Sequence, residues 1–439
     1  MISATGSILL VVWLLAATVS FYTVSDVFSP EKLILIALGM FFGDVFFNDY
    51  SLEFNLVYVA ILTSFVAVVV LLSPILRRNM KSLASASSLE MHHKSNDLLI
   101  GYKFFWLLSI PALLAQVWMI QLFGGIEGYI NVLAMRVVEF RGLGWLTSII
   151  KTFSVINLVY FSYLVTRSRR KRRDVAIYML HFGLFLFMGL LTGSRGSLLV
   201  NPVLMLLIYH HSVQRISLRW LSAFALSAVL LASVLELARQ GVSFGEGGLV
   251  TGLSAERQDD RKMSFRWAQY GTIPLNLVLD ENNASKQYGF TYLTVITNFV
   301  PRVIWPTKPD TGGIVLTKEY TDNAWGGSSN LSTGIFPEAI INFGQPLGVI
   351  VGTLQFCALV GGLLLYYVRF RRRKLVNNRY QFVYSVRFAY ISWAAMALIV
   401  GEFTNTMITL LIQLITVSVI GIFLHLFSKT RMSRLQVTQ

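Results

Sequence analysis

Cysteine is almost missing from this chain: Cys357 stands alone among 439 residues. No disulfide can form within a single chain, so any folded loop must hold together without one. Charge is scarce too, with Asp, Glu, Lys and Arg at 13% of the residues, about half the ~25% usual in soluble domains. Histidine is placed unhelpfully for an active centre. His92, His93, His210, His211 and His425 fall near basic runs, and His181 sits inside an apolar run. The long polar stretch after residue 238 therefore has neither imidazole nor thiolate until the chain turns apolar again. That argues against a zinc centre there and excludes a Ser-His-Asp triad. No phosphate-cradling P-loop and no dinucleotide fingerprint is present. The first six residues carry no basic residue, unlike a cleaved secretory signal, so the first apolar run is expected to be a retained helix with its N-terminus outside.

What is present is a succession of apolar runs of the ~20 residues needed to cross a bilayer core of ~30 Å. Lipid leaves backbone groups no outside partner, so each run must be helical. The net charge of +15 lies mainly in Arg77–Lys81, Arg167–Arg173, Arg369–Lys374 and Lys429–Arg434, each at the end of an apolar run. Short basic loops stay cytoplasmic and meet the anionic inner leaflet. The surplus is therefore no nucleic-acid footprint. Between Arg239 and Glu338 nine basic residues face ten acidic ones, which marks that stretch as the opposite, outer side.

Placing every basic run on one side predicts an all-α polytopic membrane protein of about eleven spans. They run near Thr5–Tyr22, Lys32–Phe47, Leu56–Leu76, Tyr102–Phe123, Trp145–Thr166, Ala176–Leu191, Ser197–His211, Trp220–Ala238, Gly348–Val368, Phe382–Val400 and Thr406–Phe427. The chain then divides into residues 1–238 (spans one to eight), 239–345 (one large outer loop) and 346–439 (spans nine to eleven and a cytoplasmic tail). Within the loop, Ile273–Leu279 and Phe290–Val300 are apolar but too short to span, and are expected as interfacial helices. No internal repeat is visible, nor a matched pair of broken helices.

Charge near the end of a membrane helix is costly, so the charged residues at the outer rim carry the interest. Asp44, Arg195, Glu236, Arg239, Glu338 and Glu402 all come to that rim. Arg195 sits in the turn Thr192-Gly193-Ser194-Arg195-Gly196. A helix N-terminus beside a guanidinium is an anion site, and an arginine there also snorkels to head-group phosphates. Pro301-Arg302 and Trp305-Pro306-Thr307-Lys308-Pro309 hold two cations on a stiff segment, suited to a diphosphate or to an ordinary proline-rich turn. Glu338 opens an amphipathic stretch, as a helix-capping carboxylate or as a general base raised toward neutrality by burial. Asp259-Asp260 is flanked by Arg257, Arg261 and Lys262 and reads as a solvated charge cluster rather than a metal site.

Together these segments resemble the Wzy-type oligosaccharide repeat-unit polymerases. The residues that carry the likeness are Leu191–Gly196, Pro301-Arg302 with Trp305-Pro306 and Lys308-Pro309, and Pro337-Glu338 with Asn342-Phe343-Gly344. Gly124-Gly125-Ile126, with Arg136 downstream, adds to it, as does the spacing of Arg302 and Gly313. The resemblance implies a glycosyltransferase of the bacterial inner membrane, with a periplasmic N-terminus and a cytoplasmic C-terminus. Its fold would be similar to that of membrane-embedded lipid-linked-sugar transferases. It would join repeat units carried on undecaprenyl diphosphate, as in O-antigen or capsule synthesis, with no nucleotide sugar, cofactor or metal. Glu338, Arg195 and Arg302 would be catalytic, and Arg136, Arg239, Lys308 and Glu236 would bind substrate. Glu236 and Asp310 are alternative bases. Its partners would be the lipid-linked oligosaccharides and membrane lipids, with a polysaccharide chain-length regulator left open. A lipid-linked-oligosaccharide flippase or exporter, an O-antigen ligase and a membrane scaffold are the competing readings. The ligases use a periplasmic histidine, which this loop lacks.

Overall fold

The computed structural model describes residues 3–24, 26–89, 101–133, 139–140, 142–167, 171–191, 195–217, 219–221, 223, 242–245, 248–251, 266–280, 286–300, 304–321, 330–376 and 381–437. Helix dominates them. In chain order the helices are α1 (Ala4–Thr23), α2 (Pro30–Phe41), α3 (Leu52–Leu89), α4 (Tyr102–Leu122), α5 (Gly125–Val132), α6 (Gly144–Thr166), α7 (Arg172–Leu191) and α8 (Arg195–Ser212). There follow α9 (Thr272–Asp280), α10 (Phe290–Thr297), α11 (Gly312–Tyr320), α12 (Ile335–Phe343), α13 (Leu347–Val376), α14 (Gln381–Val400) and α15 (Phe403–Val437). One antiparallel hairpin, β1 (Val242–Gly245) with β2 (Gly248–Thr251), departs from the expected all-helical chain.

Eight of these helices are long and apolar enough to cross a membrane: α1, α3, α4, α6, α7, α13, α14 and α15. The protein is thus a polytopic membrane protein. Its apolar exposed faces fit a lipid surround: Ile8, Val11, Leu14 and Leu15 of α1, or Leu107, Leu114 and Val117 of α4, point out of the fold. Most of the apolar stretch of α14 is buried and most of that of α15 is exposed. Three further expected spans have other outcomes. The second is a 12-residue helix, α2, continued by a 3-10 turn at Gly43–Phe46. The seventh coincides with α8, 18 residues with Pro202 inside. The eighth falls almost wholly outside the described residues. The two short loop helices expected near 273 and 290 are α9 and α10.

Two compact units emerge, each built from several stretches of the chain. The first comprises Met1–Lys94, Ser264–Asn378 and Arg387–Ile415; the second comprises Ser95–Met263, Arg379–Val386 and Thr416–Gln439. In the first unit α1 and α2 form a hairpin, with the Trp13 indole N–H donating to the Leu35 carbonyl at 3.1 Å. The largest packing surface joins α3 to α13 and α13 to α12. Phe54, Tyr58, Ile61, Leu62 and Phe65 of α3, and Phe356, Val360 and Leu364 of α13, are all buried. Lipid tails are as apolar as leucine, so such helices are held by close packing and by hydrogen bonds rather than by escape from water.

That unit also encloses an ion pair. The Lys32 amine lies 3.1 Å from Glu31 Oε1, at side-chain exposures of 2% and 0%. It also donates to Ser29 Oγ at 2.9 Å and to the Val24 carbonyl. Asp26 nearby accepts from the Tyr367 hydroxyl at 2.8 Å. A charge sealed in this way must be paired and hydrogen-bonded to persist.

In the second unit α4, α6 and α7 meet around His181, which is fully enclosed. Asn157 Nδ2 donates to His181 Nδ1 at 2.8 Å, and His181 Nε2 lies 2.9 Å from Ser109 Oγ. Ser109 donates its own proton to the Phe105 carbonyl at 2.8 Å. The proton between ring and hydroxyl therefore sits on Nε2, and the imidazole is neutral. Phe153 stacks on the ring at 4.7 Å. This histidine ties three helices together.

Candidate functional site

Four segments of the first unit converge on one carboxylate. α12 is nine residues long, too short to span, and strongly amphipathic. Its sequence Ile-Phe-Pro-Glu-Ala-Ile-Ile-Asn-Phe places Pro337 in the first turn, where the missing N–H does no harm. Glu338 and Asn342 are four residues apart and so share a face. Both are completely buried.

Glu338 is saturated. Its Oε1 accepts from the Thr291 hydroxyl of α10 at 3.0 Å. Its Oε2 accepts from the Thr333 hydroxyl at 2.8 Å and from the Phe403 backbone N–H, at the start of α15, at 3.0 Å. Asn342 Nδ2 donates to Thr291 Oγ1 at 2.7 Å, which directs the Thr291 proton toward Glu338. Asn342 Oδ1 accepts from the Gly289 N–H at 2.9 Å and holds the entrance to α10. Thr404 donates to the Thr291 carbonyl at 3.2 Å and pairs with the Thr294 hydroxyl. Burial pushes the Glu338 carboxyl up to about 7 from an ordinary 4.5; the Phe403, Thr333 and Thr291 hydrogen bonds pull it down and the charge of Glu402 pushes it further up.

Glu402 is the second carboxylate of the site. It is half-buried, and its Oε1 accepts from the Gly313 N–H in the first turn of α11 at 3.0 Å. The chain at Gly312 runs so close to Glu338 that a Cβ there would lie 2.7 Å from its carboxyl carbon. Only glycine permits that approach. The first turn of α11 thus abuts both acids.

The remaining expected site residues fall in different places. Arg195 is the first residue of α8, in the second unit. Arg136, Glu236, Arg239 and Arg302 lie outside the described residues. Lys308 is half-buried and donates to the Val300 carbonyl at 2.9 Å and the Thr297 carbonyl at 3.5 Å. The cation thus sits against the carbonyls at and just beyond the C-terminal end of α10. Asp310 pairs with Lys318 at 2.7 Å, which occupies the carboxylate as a base. Asp44 accepts from Asn48 Nδ2 at 2.8 Å and from the Tyr50 hydroxyl at 2.5 Å.

Sequence reasoning passed over Thr291, Thr333 and Thr404, which carry no local signal of chemistry. Glu402 did carry one: a lone acid in the apolar run Ile399-Val400-Gly401-Glu402-Phe403. Chemically, the site offers one sealed carboxyl near its titration point, one accessible carboxylate and a helix N-terminus. It is equipped for proton transfer. Comparison of the chain with protein-family models, with characterised proteins and with solved structures returned no match.

Proposed function

We propose that this protein is a polymerase of lipid-diphosphate-linked oligosaccharide repeat units. It works at the periplasmic face of a bacterial inner membrane, with about eleven spans, the N-terminus outside and the C-terminus inside. The observation that carries this reading is the meeting of Gly312-Gly313, Glu338, Asn342 and Glu402 around one proton-transfer centre. Of the segments that resemble the Wzy-type polymerases, Pro337–Gly344 supplies Glu338 and Asn342 to it, and the Arg302–Gly313 spacing ends at its Gly313.

The reaction needs two things from the protein. The acceptor hydroxyl must lose a proton to a carboxylate of this centre. The departing lipid diphosphate must be met by positive charge, for which Arg195, Arg302, Arg136 and Arg239 are the proposed groups. The loop helices α9 to α11 would close over the sugars and exclude water.

One observation favours a transport reading, the enclosed Glu31–Lys32 pair beside Asp26, because ionisable groups inside membrane bundles mark transport paths. The two readings separate experimentally. Purified protein in lipid nanodiscs, given undecaprenyl-diphosphate-linked repeat units, should produce a ladder of longer glycans. Unchanged single units would reject the polymerase. Lipid-linked units trapped on the cytoplasmic face of a deletion strain would establish the flippase in its place.

A further inference from the structure

Resting on the polymerase reading, we infer that Glu402 is the base that takes the acceptor's proton and that Glu338 is a positioning residue that holds Glu402 in place. A base must present an unoccupied oxygen to its substrate. Glu338 has none: it is 0% exposed, and its two oxygens receive three hydrogen bonds from Thr291, Thr333 and Phe403. Glu402 is half-buried and gives only Oε1 to the protein, to the Gly313 N–H. Its Oε2 takes no hydrogen bond among the described residues. Asp310, just ahead of α11, is paired with Lys318 at 2.7 Å.

The two carboxylates are linked through the backbone. Glu338 Oε2 accepts from the N–H of Phe403, the peptide that immediately follows Glu402. Gly313 fixes the far end of the Glu402 side chain. Glu402 is thus clamped at its main chain by one acid and at its Oε1 by a helix N-terminus, while Oε2 has no hydrogen bond among the described residues. Their charges are also coupled. Burial, and after it the neighbouring Glu402, raises the Glu338 carboxyl above its ordinary value.

In the reaction, the acceptor O–H bond breaks and its proton goes to Glu402 Oε2. The oxygen's electron pair forms the new bond to the donor's anomeric carbon. The bond from that carbon to the diphosphate oxygen breaks, and lipid diphosphate leaves with the electron pair. Glu402 then returns its proton to water.

The test uses full-length protein in nanodiscs with the lipid-diphosphate-linked repeat unit as donor and acceptor. E402Q should lower kcat by about 100-fold or more, with KM within about twofold and thermal unfolding as in wild type. Its pH–rate profile should lose the acid limb. E402D should keep that limb at reduced rate. E338Q retains an oxygen for the Phe403 N–H, and should keep both the limb and kcat to within about tenfold. E402Q turning over at the wild-type rate, or the acid limb vanishing in E338Q alone, overturns the assignment and leaves the polymerase intact. A wild-type protein that elongates nothing removes the polymerase reading itself, and this assignment with it.

Discussion

Replacing Glu338 by glutamine removes a buried charge while keeping the side chain's shape, and its effect can be worked out in advance. In the folded protein the carboxyl titrates at about 7, against 4.5 ordinarily. At ~1.4 kcal/mol for each tenfold in affinity, the folded state binds that proton more tightly by about 3 kcal/mol. A group raised in this way stabilises the fold fully below pH 4.5. The contribution fades as pH rises toward 7 and is absent above it. Wild-type protein therefore loses about 3 kcal/mol across that window through this one residue, and E338Q does not. Denaturant unfolding in mixed micelles at pH 5 and pH 8 measures it. The stability of E338Q relative to wild type should rise by about 2–3 kcal/mol between the two. E338A supplies the contrast. It removes the acceptor of the Phe403 N–H, and costs about 2 kcal/mol or more at either pH. Parallel pH profiles for wild type and E338Q, or an E338A protein as stable as wild type, would refute the description of Glu338 as sealed and proton-binding.

Other consequences follow from single contacts. G312A drives a methyl to within 2.7 Å of the Glu338 carboxyl carbon, and should lower stability by about 1–3 kcal/mol in thermal unfolding and lower the yield of long glycan. Asn157→Ala removes the donor to His181 Nδ1, and a loss of about 0.6–2 kcal/mol is expected in the same assay. Lys308→Met removes the amine that donates to the Val300 carbonyl just beyond α10; a loss of about 0.5–1 kcal/mol, with faster amide exchange confined to residues 294–300, is the expected result. With Cys357 replaced by serine, single cysteines introduced in the 124–144 and 239–337 segments should react with a membrane-impermeant thiol reagent from outside. Those at 79–101 and 429–439 should be shielded, and the reverse pattern would invert the proposed orientation.

The helical layout was legible before any fold was known, because it is written locally. A run of twenty apolar residues ending in arginines must be a helix in lipid, whatever surrounds it. Expected spans at Tyr102–Phe123 and Phe382–Val400 appear as helices Tyr102–Leu122 and Gln381–Val400. The interest of Glu338 was legible too, as an acid opening an amphipathic stretch. Its surroundings were not. Its partners sit at Thr291, Thr333 and Phe403, on three other segments of the chain, and nothing local to those threonines marks them. Hydropathy likewise reports how apolar a segment is, without the neighbour it meets. It could not foresee that the second span is a short helix followed by a 3-10 turn at Gly43, or that the Lys308 amine turns back onto the end of α10. Amino-acid order alone determined which long segments are helical and apolar enough to cross a membrane, since that depends on a residue and its near neighbours. Which acid is sealed, which keeps a free oxygen and which cation is occupied were decided only by tertiary structure, because hydrogen bonds and burial are set by atoms that meet in space from distant parts of the chain.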